Sequence, residues 1–400
     1  MNPWRGLKGL PRECWILFFT SLINRMGTMA LPFLVLYLTT TQGFSATRAG
    51  HAATMYGLGS LLVSPIAGRL CDRYGPLRVM KMSLFMTGVM LLFFPMVHGY
   101  VPVLAATFVW AMLNEAFRPA NMVLTAQYAP PGREKTAFSL YRLAVNLGES
   151  IGPLAGGFLA GVWFPVIFLI DGATAILAGL FVSLSAWPHR QKTVAHDTAA
   201  APPARSASVL RDGAFLWFML ALIPVVVAIF QIFSTVALFL TRDLHRPESD
   251  LGWLFTVSTL LIVFLEIQVN TMTAHWPHRR ALVFGVILIS CGIGAQYFAN
   301  GFGGMALAMI IWTFGEMIVF PSAAACVGEL APPDRRGDYM GMFQVTFSIS
   351  LILAPLVGTW VYERYGGRNL WAGAFALGMV SALMLTRARL QPLRTEPPMP

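Results

Sequence analysis

From one end to the other, the chain alternates between apolar runs of membrane length and short breaks rich in charge, glycine or proline. A helix needs about 20 apolar residues to cross a hydrocarbon core of about 30 Å. Twelve runs meet that length, near 14–38, 46–69, 79–98, 102–126, 136–160, 163–187, 213–240, 250–273, 280–298, 303–326, 338–362 and 367–386. Lipid offers no partner to a backbone N–H or C=O, so such segments must be helices, and the alternating pattern of a membrane β-barrel is absent. The expected fold is therefore an all-α membrane protein. Composition agrees: 56% of the residues are hydrophobic and 12% charged, too few polar groups to cover a water-soluble globule of this size.

The basic residues predict an orientation. Of the 28 Lys and Arg, twenty fall in the tails and even-numbered loops, five in the odd-numbered loops (Arg48, Arg242, Arg246, Arg364, Arg368) and three inside spans (Arg25, Arg118, Arg142). By the positive-inside rule both termini are expected in the cytoplasm. The first span is longer than the apolar core of a signal peptide and is read as retained. A stretch rich in Ala, Pro, Ser and charge, "PHRQKTVAHDTAAAPPARSASVLR", reads as a linker over 188–211 between six-helix halves at 1–187 and 212–400. The four cysteines have no metal-ligand spacing, and free thiols are expected. In such a chain the +10 net charge reports orientation and anionic lipid, so no nucleic acid is expected as a partner.

The halves resemble each other. "WAMLNEAFRPANMVLTAQYAPPGREK" aligns without gaps at an offset of 202 on "WTFGEMIVFPSAAACVGELAPPDRRG". Pro119 then falls on Pro321 and Pro153 on Pro355. Repeats of this kind let a transporter build a site at the midplane and expose it alternately to each side.

The loop after the second span, "GSLLVSPIAGRLCDRYGPLR", has Gly68, three intervening residues and then Asp72-Arg73-Tyr74-Gly75. This resembles the signature between helices two and three of the major facilitator superfamily, although Pro76-Leu77 replaces the usual basic pair and Arg78 comes one place later. The resemblance implies twelve helices and a conformational switch formed by Gly68, Asp72, Arg73, Gly75 and Arg78, in which Asp72 docks on the positive N-terminus of span eleven near Gly337. In span five, "GESIGPLAGG" carries Gly148, Gly152, Pro153, Gly156 and Gly157. It is similar to the signature of that superfamily's proton-coupled antiporters, with Ser139 where a more distant glycine would sit. Small residues at this spacing also serve plain helix packing, and both readings stay open.

At 1.5 Å per residue, Arg25 lies about 16 Å into span one, near the midplane. A charge there is costly and is expected to face a wet cavity with a partner. The superfamily resemblance implies a cavity lined by helices one, four, seven and ten. Their polar residues are Asn24 and Arg25; Asn114, Glu115 and Arg118; Gln231 and Ser234; and Glu316, which become the candidate substrate site. Glu115 and Arg118, at i and i+3, are expected to pair on one helix face, and a permanent structural ion pair is the alternative. Burial raises a carboxyl's pKa and a neighbouring guanidinium lowers it, so Glu316, Glu115 and Glu149 are candidate proton carriers. Glu149 is expected either to face a packed interface, pairing Arg142, or to carry the proton. Asp171 and Glu266 are candidate helix-packing hydrogen bonders.

No phosphate loop, zinc-protease helix or serine elbow is present in the sequence, so an enzyme is not expected, nor a metal or a cofactor beyond a proton gradient. The expected function is proton-coupled efflux of a small molecule, a drug or a metabolite such as a siderophore, by a monomer in a bilayer, expected to be a bacterial inner membrane. The alternatives are a proton-coupled importer of peptides or other zwitterionic or anionic solutes, and a transport-dead sensor.

Overall fold

A computed structural model describes residues 9–130, 134–187, 209–273, 275–331 and 336–388. Helices α1 (Arg12–Gly27) and α2 (Ala30–Thr40) form a first span broken at Thr28-Met29. They are followed by α3 (Ala46–Tyr74), α4 (Pro76–Phe93), α5 (Tyr100–Glu115), α6 (Phe117–Tyr128), α7 (Glu134–Val162) and α8 (Val166–Leu184). The second half contains α9 (Gly213–Ile229), the short α10 (Thr235–Leu238), α11 (Ser249–Thr273), α12 (His278–Ala295), α13 (Phe302–Leu330), α14 (Arg336–Tyr365) and α15 (Gly367–Thr386). Ten stretches among the described residues are long and apolar enough to cross a membrane. Helices α3 and α7 have the length, at 29 residues each, but carry more polar side chains. Most of the linker, 188–208, lies outside the described residues.

Local chemistry sets the boundaries. Ser45 caps α3 by accepting from Arg48 N at 3.3 Å, and Asp212 caps α9 by accepting from Ala214 N and Phe215 N at 3.1 and 3.0 Å; each supplies an acceptor to an otherwise orphan N–H. The α3–α4 turn is a single residue, Gly75, at φ +86°, where a side chain would be strained, and Pro76 starts α4 at the position where its missing N–H costs nothing. Pro119 ends α5: its ring opposes the carbonyl four residues back, that of Glu115, and the helix breaks at Ala116. The repeat-related Pro321 stays inside the unbroken α13.

The halves share one packing scheme. In the first, α1 packs on α7 and α8, α3 on α5, and α4 on α8; in the second, α9 packs on α14 and α15, α11 on α13, and α12 on α15. Two further contacts, α3 with α14 and α7 with α11, join one half to the other. Both are tight at the end remote from Gly75. There Thr47 N donates to Glu363 Oε2 at 2.8 Å, Gly57 sits on Leu351 and Ile352, and Gly252 on Pro153 and Leu154. Toward Gly75 the α3–α14 seam opens, and a Cβ added at Gly68 or Gly341 would meet nothing within 4 Å. Outward-facing side chains such as Leu184, Phe264 and Phe298 are exposed and apolar, as a bilayer requires.

Candidate functional site

The glycines of α7 determine where Arg25 sits. Gly148 and Gly152 lie against the backbone of Arg25 and Met26, and Gly156 against Met29 and Phe33. Spaced four apart, they form one face along which α1 and α2 approach closely. Gly157, one position on, faces Ser249 of α11 instead. The antiporter-like stretch therefore packs α7 against both halves, and its role in coupling is a separate matter. The close approach brings Arg25 Nη1 to 3.8 Å from Glu149 Oε1, with side chains 15% and 49% exposed. Arg25 Nε is buried and lacks a hydrogen-bond partner among the described residues.

The break after Arg25 has its own support. Asp171 on α8 reaches across to accept from Met29 N at 3.3 Å and Ala30 N at 3.1 Å, the two leading amides of α2. A helix end inside a membrane needs such an acceptor. The seventh span breaks in a comparable place, where Gln231 accepts from Thr235 Oγ1 at 2.8 Å and donates to Ala354 O at 3.0 Å.

A cavity of about 630 Å³ lies between the halves. Arg25, Asn114, Glu115, Arg118 and Glu149 of the predicted set line it, joined by Tyr56, Tyr141 and Arg142. Glu115 does not pair with Arg118, because the Pro119 break interrupts the helix that the i, i+3 rule assumes. Instead Tyr56 Oη donates to Glu115 Oε1 at 2.8 Å, and Asn114 Nδ2 donates to Tyr56 Oη at 2.7 Å. Arg118 is exposed to the cavity and makes no ion pair within 4.0 Å among the described residues. Arg142 pairs across the halves with Glu266 at 3.2 Å, leaving Glu149 to Arg25.

Four predicted site residues are not in this wall. Gln231 and Ser234 are buried where the seventh span turns, Gln231 against Gly358. Asn24 is buried on α1. Glu316 is half-buried on α13 and has no ion pair within 4.0 Å among the described residues. Of the switch residues, Arg73 stacks over Tyr74 at 5.3 Å and Arg78 is exposed. The Asp72 side chain lies outside the described residues, and so does its expected docking on the start of span eleven near Gly337.

The second-half wall was not foreseen. Phe230, Phe233, Phe255, Phe320 and Phe347 come from four elements and line the cavity together. Nothing local in the sequence distinguishes them from the other phenylalanines among 29; only the repeat alignment together with the third dimension brings them to one surface.

A charge-bearing cavity between two similarly packed helix bundles, in a chain with ten stretches among the described residues long and apolar enough to cross a membrane, defines an integral-membrane transporter. The sequence profile of the Major Facilitator Superfamily matches residues 17–245 and 226–399, and the chain belongs to that family. It is similar to a Na(+), Li(+), K(+)/H(+) antiporter of Planococcus maritimus, at 21% identity over 89% of this chain and 91% of that protein. It is also similar to the multidrug resistance protein MdtH of Aeromonas salmonicida, at 23% identity over 93% of each. The crystal structure of the nucleoside transporter NupG shares the fold, with a TM-score of 0.76 at 15% identity over 94% of this chain and 99% of that one.

Proposed function

We propose that the chain is a proton-coupled secondary transporter that exports a small organic molecule by alternating access. In this reading it has twelve spans with both termini in the cytoplasm and works as a monomer in a bacterial inner membrane. One observation carries the reading: a protonatable carboxylate, Glu149, contacts a permanent cation, Arg25, in the wall of a cavity between the halves. A proton on Glu149 releases Arg25, so proton and substrate occupancy become interdependent. The seams α3–α14 and α7–α11 are where the halves would rock. Similarity to proteins named for multidrug resistance and for cation/proton antiport supports export in exchange for protons.

The same contact favours a second reading, proton-coupled uptake. If Arg25, once freed by protonation of Glu149, were the main anchor for an acidic group, proton and substrate would load together. Proteoliposomes with an imposed pH gradient separate the two. Exchange accumulates substrate when the lumen is the acidic side, whereas co-transport accumulates it when the lumen is alkaline. Flux indifferent to the gradient would remove proton coupling from both.

A further inference from the structure

The charge in the cavity wall is all on one side. Among the described residues, every acid and base that lines it belongs to the first half, and the second half contributes five phenylalanines with Gln344, Ser348 and Leu351. Two of those charges are engaged with each other, Arg25 with Glu149, and Arg142 is held by Glu266. Arg118 and Glu115 remain, three positions apart and separated by the break at Ala116. Neither takes part in an ion pair within 4.0 Å among the described residues. Glu115 is oriented by the neutral donors Tyr56 and Asn114, which fix its position without cancelling its charge.

The opposite wall is aromatic and continuous. Phe230 touches Phe233 and Phe347 with ring centroids 5.5 and 6.4 Å apart, Phe233 touches Phe255 at 6.3 Å, and Phe320 touches Phe347 at 5.8 Å. All five rings are half-buried. A flat ring set against such a wall gains both buried area and ring-to-ring contact, and the cavity volume is in the range that holds a drug-sized molecule.

From this polarity we infer that the transported substrate is a zwitterion on a planar aromatic body: its acidic group on Arg118, its basic group on Glu115, its ring on the phenylalanine wall. The inference rests on the cavity being the transport site. A ligand with one positive charge leaves Arg118 unmatched and repelled; a ligand with one negative charge faces Glu115. Only a ligand bearing both charges meets both. A guanidinium takes a carboxylate through two parallel N–H donors, which also orients the ring.

The test uses full-length protein in lipid nanodiscs and four probes with one ring system: 3-(2-naphthyl)alanine, its carboxamide, its N-acetyl derivative and its N-acetyl carboxamide. They present a zwitterion, a cation, an anion and a neutral molecule. The zwitterion is expected to bind about tenfold or more tighter than either singly charged probe. Arg118→Gln should erase its advantage over the cation and keep that over the anion, and Glu115→Gln should do the reverse. Phe233→Ala and Phe347→Ala should weaken all four alike. Should a variant fail to fold, Arg118→Lys and Glu115→Asp should move the same ratios in the same directions. Equal binding of the four probes, tightest binding by the cation or the anion, or ratios unchanged in the variants would overturn the inference. Gradient-driven flux of the cation but not the zwitterion would also overturn it and leave the transport reading standing. The expected binding pattern with no flux of any probe would retain the ligand class and remove transport.

Discussion

Asp171 Oδ2 accepts a hydrogen bond from the backbone N–H of Ala30 at 3.1 Å, although the two residues lie 141 positions apart. With the second bond from Met29, one carboxylate terminates α2 at the point where the first span breaks. The next helix back ends two residues after Arg25. The aim of Arg25 into the cavity therefore depends on a side chain from a different helix that does not itself line the cavity.

Asp171→Ala should cost about 1–3 kcal/mol, the penalty for leaving buried N–H donors without an acceptor. Asp171→Asn keeps one acceptor oxygen and should cost less. Reversible unfolding in mixed micelles measures both. Binding at the cavity should weaken in the order Asn, then Ala; unchanged affinity in the destabilised Ala variant would separate the break from the aim of Arg25.

The inter-half seams make opposite predictions at different glycines. A Cβ at Gly252 would fall 2.6 Å from the Leu154 Cα, so Gly252→Ala forces α7 and α11 apart at the end remote from Gly75, at a cost of about 1–3 kcal/mol. Gly341→Ala meets nothing within 4 Å and should leave this conformation unchanged. Spin labels across α7 and α11 should report widening at the remote end in the first variant and none in the second.

Much of the fold was legible because lipid leaves few choices: apolar length gives helices, and the offset of 202 gives a repeated unit. Arg25 was legible for the same reason, since a guanidinium near the midplane needs a wet surface. The partners were not. The i, i+3 rule joined Glu115 to Arg118 because it assumes an unbroken helix, yet Pro119 sits where its ring ends α5 at Glu115. Glu149 went to Arg25 instead of Arg142 because Gly148 and Gly152 bring α1 onto α7, a tertiary contact that spacing within α7 cannot reveal. Gln231 looked like a cavity residue by position in its span, but the turn at Ser234 directs it into packing.

Arg142 and Glu266 join the halves through an ion pair at 3.2 Å, with the arginine 66% exposed. Such a pair contributes about 0.2–1 kcal/mol, little for folding but enough to shift a near-balanced two-state equilibrium up to about fivefold. Arg142→Glu should favour separation of α7 from α11 at that level, and the charge swap Arg142→Glu with Glu266→Arg should restore it. Distance distributions between labels on the two helices read the shift, and 1 M salt should reduce it.

The last prediction concerns the proton. If Glu149 carries it, Glu149→Gln fixes the neutral state, leaves Arg25 permanently released, and should abolish the response of flux to a pH gradient while ligand binding persists. Glu115→Gln should instead lower affinity for a basic group, because its carboxylate lines the cavity and has no ion pair within 4.0 Å among the described residues. Glu316→Gln should leave affinity intact, since Glu316 is absent from the cavity wall. Flux and equilibrium binding, measured on the same three proteins at matched pH inside and out and then across a gradient, separate the carrier from the ligand site. Coupling lost in Glu316→Gln and kept in Glu149→Gln would move the proton to α13, and coupling would then have to pass between the halves through the α7–α11 seam instead of through Arg25.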